Sequence, residues 1–358
     1  MEIKKTPLPP DQLKPLYDDP LKLGFGKIFT DHMFIMKYTE EKGWHDAQIK
    51  PYGPLALDPA AMVFHYGQEI FEGQKAYKSP TGDILLFRPR ENAKRLNRSA
   101  QRMCIPSIPE ADILLSVEEL VKIDARWIPD VKGTSLYIRP TMIASEAALG
   151  VRAAAEYFYF IILAPSGPFF KEGFNPISLW VSREYARAGA GGTGAAKAGG
   201  NYGGSLVAGA LAAKKGYSQV LWLDAKEHRF AEEVGAMNIF FVRENKLITP
   251  PLTGTILPGI TRKSVLEMAE DLGISAEEKQ TTIEEIADHI ESGKITEVFG
   301  AGTAAVISPV GKINIDGEDY IINNNEVGPW ARKFYDTLTD IQYGLADDPY
   351  GWIHRIQL

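Results

Sequence analysis

The sequence contains a single cysteine, Cys104, in 358 residues. One cysteine excludes an internal disulfide framework and is compatible with a reducing compartment. Because its neighbours are apolar, Cys104 is predicted to be a small buried hydrophobe. The chain also lacks an apolar run long enough for a transmembrane helix, since the longest, residues 157–164, has the length of a strand. The N-terminus has no signal or transit peptide pattern, so we expect a cytoplasmic protein without a membrane partner.

Positive charge is scarce as well. The chain has 39 Lys and Arg against 46 Asp and Glu, a net charge of −7. The one basic cluster, residues 94–102, has helical spacing and forms no continuous stripe. Nucleic acid is therefore excluded as an expected partner. With 45% apolar and 24% charged residues, the composition is typical of a globular protein, and the length predicts two domains or one large one.

A Pro- and Gly-rich stretch near the middle of the chain, PSGPFFKEGFNP at residues 165–176, is the predicted linker. We place an N-terminal α/β domain at residues 1–168, the linker at 169–176 and a C-terminal domain at 177–358. Residues 1–23 are rich in proline and polar residues. They are predicted to form an arm that lies on the surface or on a partner subunit.

Hydrophobic periodicity predicts a mixed α/β fold. Strands are predicted at 33–38, 84–87, 135–143, 156–164, 177–182, 219–224, 238–242 and 246–249, with another strand that begins near residue 71. Helices are predicted at 91–103, 113–127, 206–214, 262–272, 283–292 and 329–341. The first of these helices has one apolar face, and Arg95 lies off that face. Arg95 is therefore predicted to face something polar.

A run of small residues, RAGAGGTGAAKAGGNYGGSLV at residues 187–207, contains one lysine, Lys197. Lysine usually lies among polar groups on a solvated face. Here the glycines and alanines would let a planar molecule come close, as a lysine that reacts with an aldehyde cofactor requires. The composition also fits a flexible loop with a solvated lysine. A phosphate-binding P-loop is excluded, because Ala196 and Ala198 flank the lysine where that motif needs Gly and Ser or Thr.

Three further motifs fit the same cofactor. Glu233, in FAEEVGAMN, is a carboxylate that would keep a pyridine nitrogen protonated. In ILPGITR, a Pro-Gly turn predicts Thr261 at a helix N-cap, with the amides of Ile260 and Thr261 available to a phosphate. In FGAGTAAV, a glycine-rich turn would bring Thr303 to an anion. Taken singly, Glu233 also fits a surface acid, ILPGITR an ordinary capped helix and FGAGTAAV a plain turn. Together with Lys197, the three motifs predict a pyridoxal 5′-phosphate site.

From residue 24 to the C-terminus the chain resembles the branched-chain amino-acid aminotransferases, pyridoxal-phosphate enzymes of fold type IV. The resemblance rests on these stretches, in this order: GKIFTDHM, HYGQEIFEGQKAY, LFRPRENAKRLNRSAQRMCIP, LYIRPTMIASEAALGV, KAGGNYGGS, EEVGAMNIFFV, LPGITR and GAGTAAV. It implies a smaller N-terminal and a larger C-terminal domain, with the cofactor between them, and a homodimer. It also implies reversible transfer of an amino group from L-leucine, L-isoleucine or L-valine to 2-oxoglutarate, which gives 2-oxo acids and L-glutamate.

The resemblance also assigns roles to single residues. It implies that Lys197 holds the cofactor as a Schiff base and shuttles the proton, and that Tyr202 bonds to the phenolic oxygen of the cofactor. Glu233 is implied as the partner of the ring nitrogen. The implied phosphate site consists of Arg95, Ile260, Thr261 and Thr303.

The substrate pocket implied by the resemblance is mostly apolar. Its residues are Phe29, Tyr66, Phe71, Tyr137, Arg139, Val151, Thr303 and Ala304, with Tyr137 and Arg139 assigned to the second carboxylate of glutamate. Leu149 and Val151 match a loop that closes the site of the neighbouring subunit in this family. From spacing alone, an inward tyrosine at position 137 also fits a plain core residue.

Two other functions stay open at this level. One is a D-amino-acid transaminase or an aminodeoxychorismate lyase of the same fold, and the other is a non-catalytic binding protein that kept the fold. The preferred direction of the reaction and the ranking among leucine, isoleucine and valine are open too.

Overall fold

The structure is a computed structural model that describes residues 1–168 and 174–357. Residues 169–173 of the predicted linker lie outside the described residues. The strands are β1 (Lys4–Lys5), β2 (His32–Thr39), β3 (Gly43–Pro51), β4 (Glu69–Phe71), β5 (Gln74–Lys78), β6 (Ile84–Phe87), β7 (Ser135–Ala144), β8 (Glu156–Ser166), β9 (Ile177–Ser182), β10 (Gln219–Leu223), β11 (Ala231–Val234), β12 (Met237–Arg243), β13 (Lys246–Thr249), β14 (Ser275–Glu278), β15 (Ile295–Gly302), β16 (Val306–Ile315), β17 (Glu318–Ile321) and β18 (Ile353–Ile356). The α-helices are α1 (Met62–Tyr66), α2 (Pro89–Arg102), α3 (Glu110–Ile123), α4 (Gly199–Gly203), α5 (Leu206–Lys214), α6 (Ile260–Ala269), α7 (Ile283–Glu291) and α8 (Pro329–Gln342).

The chain forms two compact units, each built from separate segments. The first unit is Met1–Lys171 with Ala196–Gly199 and Asp340–Leu358, and the second is Glu172–Ala195 with Gly200–Thr339. The sequence-based boundaries put both short segments in the C-terminal domain, whereas here they join the first unit and make it the larger one. The cause is long-range packing, because Ala196 and Ala198 belong to the core of the first unit and β18 pairs with β6.

The first unit is built on a sheet in the order β1-β3-β2-β8-β7-β5-β6-β18, with β4 also paired to β7. Its longest ladder joins β7 and β8, which are antiparallel from Ser135 opposite Ser166 to Ala144 opposite Tyr157. Along β8 buried and less buried residues alternate, as expected for a strand with one face on a core. The apolar sides of α2 and α3 pack into the same core cluster as this sheet.

The second unit is built on a sheet in the order β11-β10-β9-β16-β15-β12-β13-β14. A further pairing of β11 with β12 closes six of these strands into a ring, and β17 pairs with β16 outside it. The hairpin between β11 and β12 turns at Gly235, whose φ of 56° is in the left-handed region that glycine adopts readily. Every residue of β11 is buried, including Glu233.

Segments with strong periodicity agree with the sequence-based prediction. The helix predicted at 206–214 is α5 with the same bounds, and the strand predicted at 246–249 is β13. The prediction missed β15 and β16, although the turn that it placed in FGAGTAAV is present between these strands at residues 303–305. Glycine weakens a strand prediction, but Gly300 is needed here because an added Cβ would lie 2.9 Å from side-chain atoms of Met237 and Val234.

The prediction for Cys104 is wrong, since its side chain is exposed. Helix α2 ends at Arg102, and Cys104 follows in a left-handed turn with a φ of 55°. The next residue, Ile105, takes the buried position instead.

None of the helices within residues 1–168 and 174–357 is both long and apolar enough to cross a membrane.

Candidate active site

The backbone of Lys197 is held on both sides by the first unit. The Ser99 hydroxyl, on α2, accepts a hydrogen bond from the Lys197 amide at 2.9 Å. The Lys197 carbonyl accepts one from the Phe71 amide at 3.0 Å, and Ala198 forms a β-bridge with Ile70. A Cβ on Gly199 would lie 1.7 Å from a carboxylate oxygen of Glu69, so the chain can pass here only without a side chain. The lysine therefore has a fixed backbone, unlike the flexible loop that the composition also allowed.

The ammonium group of Lys197 lies over an aromatic ring, with Nζ 4.8 Å from the centroid of Phe71. Burial lowers the pKa of Lys197 to about 8, and the positive charge of Arg95 acts in the same direction while Glu72 opposes it. At pH 8 about half of such an amine is neutral, whereas an ordinary lysine is almost entirely protonated. The neutral form is the one that can attack a carbonyl carbon.

Arg95 forms a buried ion pair with Glu72. Its Nε donates to Oε1 of Glu72 at 2.7 Å, and Nη2 donates to Oε2 at 2.9 Å. Asn92 donates to the same carboxylate at 2.8 Å. Burial by itself would raise the pKa of Glu72, but the charge and hydrogen bonds of Arg95 lower the pKa below its usual value. The sequence analysis placed Arg95 in a polar environment and missed Glu72, although a buried arginine signals a carboxylate partner nearby.

Three of the predicted substrate residues lie together on β4 and β7. The guanidinium of Arg139 lies 4.7 Å from the ring centroid of Phe71 and donates to the Tyr137 hydroxyl at 3.2 Å. Tyr137 leans over Gly73, where a Cβ would be 2.0 Å from the tyrosine oxygen. Phe25, which the sequence analysis did not select, packs edge-on against Tyr137 at 4.8 Å.

The other predicted pocket residues of the first unit make different contacts. Phe29 stacks on Tyr52, with the ring centroids 5.3 Å apart. The hydroxyl of Tyr66 donates to the carbonyl of Leu149. Leu149 and Val151 are strongly exposed, at 67% and 86% of their accessible surface. Tyr66, Leu149 and Val151 therefore belong to an open surface of the first unit.

In the second unit, Glu233 and Tyr202 line one cavity of about 150 Å³, together with Arg187, Asn201, Ser205, Gly209, Gln219, Val220, Trp222, Gly235, Ala236 and Leu257. The carboxylate of Glu233 is buried and accepts a hydrogen bond from Asn238 at 3.1 Å. Arg187 approaches its other oxygen, with Nε 2.5 Å from Oε2. A fixed buried carboxylate in a small cavity suits the nitrogen of an aromatic ring.

Asn238 connects Glu233 to the start of α6, because its side-chain amide also donates to the Leu257 carbonyl at 2.9 Å. The prediction of Thr261 as the N-cap is wrong, since Gly259 caps α6 and Thr261 lies within its first turn. The position needs glycine, because a Cβ there would be 2.0 Å from the Asn238 side-chain oxygen. The first amides of this helix, at Ile260 and Thr261, form the positive end of a helix dipole that suits an anion.

Thr303 and Ala304 form the turn between β15 and β16. In the sheet, Asn238 on β12 lies opposite Glu233 on β11 at one side and opposite Ala301 on β15 at the other. The Thr303 turn therefore lies at the end of the sheet where β12 begins. The second unit thus brings Glu233, the start of α6 and the Thr303 turn to one edge.

Gly194→Ala is expected to lower the free energy of unfolding by about 1–3 kcal/mol. An added Cβ would lie 2.3 Å from the backbone carbonyl oxygen of Thr255, and a backbone cannot move aside like a side chain. Urea unfolding measures the change. The control is Gly209→Ala in α5, where no atom lies within 4 Å of the new Cβ; it should instead stabilise by about 1 kcal/mol. Equal effects of the two substitutions would contradict the prediction.

The amino-transferase class IV family model matches residues 69–313 of this sequence, a range that includes Lys197, Glu233 and Thr303. The chain belongs to the class IV aminotransferases. The matched range does not include Phe29 and Tyr66, two of the predicted pocket residues. Branched-chain-amino-acid aminotransferase 2 of Bacillus subtilis (strain 168) is 52% identical over 338 residues, which cover 94% of this chain and 93% of that protein.

Solved structures of class IV aminotransferases share the fold. The Escherichia coli branched-chain amino acid aminotransferase is 28% identical, with a TM-score of 0.75 over 90% of this chain and 99% of that one. The branched-chain amino acid aminotransferase of T.th., complexed with N-(5′-phosphopyridoxyl)-L-glutamate, is 26% identical, with a TM-score of 0.74 over 90% of this chain and 98% of that one. The predicted mixed α/β fold of type IV and the resemblance to branched-chain aminotransferases are thereby confirmed.

Proposed function

We propose that this aminotransferase moves the amino group of L-leucine, L-isoleucine or L-valine to 2-oxoglutarate, with pyridoxal 5′-phosphate bound covalently by Lys197. The observation that carries the proposal is the half-buried side chain of Lys197, whose backbone is held by Ser99 and Phe71 and whose pKa is lowered to about 8 by burial. The similarity to the Bacillus subtilis branched-chain aminotransferase supports the choice of substrates.

The residues present fit this cofactor. The cavity beside Glu233 has a volume of about 150 Å³, and Tyr202 lines it. Glu233 would accept a hydrogen bond from the protonated ring nitrogen, and Tyr202 would bond to the phenolic oxygen. The α6 amides of Ile260 and Thr261, together with Thr303, would hold the phosphate, and the resemblance assigns Arg95 to the same group.

Lys197 would have two tasks in the reaction. Its amine would hold the cofactor covalently, and with substrate in the site Nζ would take the α-proton of the substrate and deliver it to the cofactor. Bound pyridoxal phosphate supplies a conjugated ring that accepts the electron pair left by that proton. A pKa near 8 suits this exchange, because a proton carrier works best when its pKa is close to the operating pH.

The face formed by Phe71, Tyr137 and Arg139 would hold the substrate side chain. The aromatic rings suit branched aliphatic groups. The guanidinium of Arg139, beside the Tyr137 hydroxyl, suits the second carboxylate of L-glutamate and 2-oxoglutarate.

Arg139→Met is expected to raise the KM for 2-oxoglutarate by about 10- to 100-fold, because a hydrogen bond to a charged group is lost. The KM for L-leucine, whose side chain bears no charge, should change by less than about threefold, so leucine is the internal control. Steady-state kinetics with each substrate varied in turn gives both values. An equal rise in both KM values would mean that Arg139 does not discriminate between the substrates.

We further propose a homodimer that covers the exposed apolar residues of the first unit. Phe64, Leu149 and Val151 are 61%, 67% and 86% exposed, and the Tyr66 hydroxyl bonds to the Leu149 carbonyl. Exposed apolar side chains grouped in this way are typical of an interaction surface. Sedimentation equilibrium should give twice the mass of the chain, and a single species of 39.6 kDa would overturn this part of the proposal. A cytoplasmic location stays a prediction.

The function is tested by the visible absorbance of the purified protein, first with L-leucine and then with 2-oxoglutarate. The absorbance of the bound cofactor should fall with L-leucine and recover with 2-oxoglutarate. A band that ignores L-leucine but responds to D-alanine or aminodeoxychorismate would overturn the substrate assignment. No visible band after addition of pyridoxal phosphate would overturn the whole proposal and favour a non-catalytic binding protein.

A further inference from the structure

Arg187 contacts the carboxylate of Glu233, although the reaction described above does not use it. Its Nε lies 2.5 Å from Oε2 of Glu233, and the two side chains are only 8% and 4% exposed. Arg187 lies ten positions before Lys197, at the start of the run of small residues. Arg187 and Glu233 line the same cavity.

Arg187 is itself held in place by backbone carbonyls. Its Nη2 donates to the carbonyl of Gly194 at 3.1 Å and to the carbonyl of Thr255. The guanidinium plane is therefore fixed relative to β11, which carries Glu233. A lysine could supply the charge but not this set of directed donors, because its ammonium has no planar fork.

The two carboxylate oxygens of Glu233 make different contacts: Asn238 donates a hydrogen bond to Oε1, and Arg187 forms an ion pair at Oε2. A carboxylate oxygen can accept more than one hydrogen bond. Glu233 can thus keep both contacts and still accept an N–H from a molecule in the cavity, provided that it is ionised.

Burial works against that ionised form. A carboxyl group removed from water takes a proton unless a charge or hydrogen bonds compensate. A protonated Glu233 would be neutral, and it would lack the negative charge that stabilises a protonated ring nitrogen. The guanidinium of Arg187 is the compensating charge in direct contact.

We propose that Arg187 is a positioning residue that keeps Glu233 ionised and in one orientation as the acceptor for the cofactor's ring nitrogen. This inference rests on the proposed function for the identity of the ligand. The pairing of Arg187 with Glu233 is a property of the protein without any cofactor, and it can be tested there.

The first test is an infrared pH titration of the apoprotein. The spectrum of the Glu233→Gln protein is subtracted at each pH, which isolates the signal of the Glu233 carboxyl. The wild type should show an ionised carboxylate at pH 7, and Arg187→Met should show a carboxylic acid band for Glu233 at the same pH. Arg187→Lys, which keeps the charge, should stay ionised. The matched control is Arg183→Met in the same unit, whose guanidinium pairs with Asp316 at the surface and should leave the titration unchanged.

The second test is binding of pyridoxal phosphate to the apoprotein, followed by absorbance. Arg187→Met should raise the Kd by about 10- to 100-fold, the loss expected for a hydrogen bond to a charged group, while Arg187→Lys should raise it less. A residue that only stabilised the fold would lower the melting temperature without moving the Glu233 titration.

Two results would overturn the inference. One is an Arg187→Met protein in which Glu233 remains ionised at pH 7, and the other is a wild type in which Glu233 is already protonated at pH 7. The second result needs no Arg187 variant, so the inference stays falsifiable if Arg187→Met does not fold. If neither the wild type nor any variant binds pyridoxal phosphate, the proposed function fails. The infrared titration still shows whether Arg187 keeps Glu233 ionised.

Discussion

Lys197→Ala is expected to reduce the transamination rate with L-leucine by about 10²- to 10⁴-fold or more, the range for losing a positioned proton carrier. The same substitution also removes the amine proposed to bind the cofactor. The protein should stay folded, because the backbone contacts with Ser99 and Phe71 do not involve the side chain. Steady-state kinetics and a thermal melt measure the two properties.

The matched control for Lys197→Ala is Lys226→Ala. The side chain of Lys226 is 89% exposed, so its removal should leave both the rate and the melting temperature unchanged. Near-normal turnover in Lys197→Ala would remove Lys197 from the mechanism. A loss of rate that comes with a much lower melting temperature would mean that the side chain is needed for folding and would not support a chemical role.

Glu72→Gln is expected to lower the free energy of unfolding by about 3–5 kcal/mol, because it leaves the buried guanidinium of Arg95 without its counter-charge. The pH dependence follows from the lowered pKa of Glu72 in the folded protein. Its contribution is present above the unfolded pKa of about 4.3 and is lost only as the pH falls through the lower folded value. The difference from wild type should therefore stay constant between about pH 6 and pH 5, below the range in which Lys197 titrates, and shrink at more acid pH. Urea unfolding across that range measures it.

The control for Glu72→Gln lies on α2 as well. Glu91 pairs with Lys94 at 3.1 Å, but both side chains are partly exposed, at 21% and 47%. Glu91→Gln should cost at most about 0.5 kcal/mol. If both substitutions cost the same, the burial of the Glu72–Arg95 pair would not govern its energetics.

Local patterns in the sequence predicted the regular elements well. Helix α5 and strands β7 and β8 were predicted within two residues of their bounds, because their periodicity is strong and their packing follows it. Strands β15 and β16, on either side of the turn predicted at FGAGTAAV, were missed for the opposite reason. There, close packing of Gly300 against Met237 decides the structure, and no local propensity reports that contact.

The residues proposed for the cofactor were selected by chemical type and by resemblance, and their roles are still proposals. What the sequence could not predict is how they are held. Ser99 is 98 positions from the Lys197 amide that it binds, and Glu72 is 23 positions from Arg95. Arg187 and Glu233 are likewise brought together only by folding. A single sequence contains no signal for such pairs beyond the expectation that a buried charge has a partner.

The pairing of β18 with β6 sets an order of events during protein synthesis. Ile353 lies opposite Phe87 and Ile356 opposite Ile84, so this edge of the sheet cannot be completed until the last residues have been made. At about 5–20 residues per second, the ribosome needs roughly 10–50 s to cover that distance. During this time the nascent chain carries an unpaired strand edge, a site where newly made chains can aggregate. High-level expression should therefore benefit from slower translation or from chaperones that cover β6 until the C-terminus emerges.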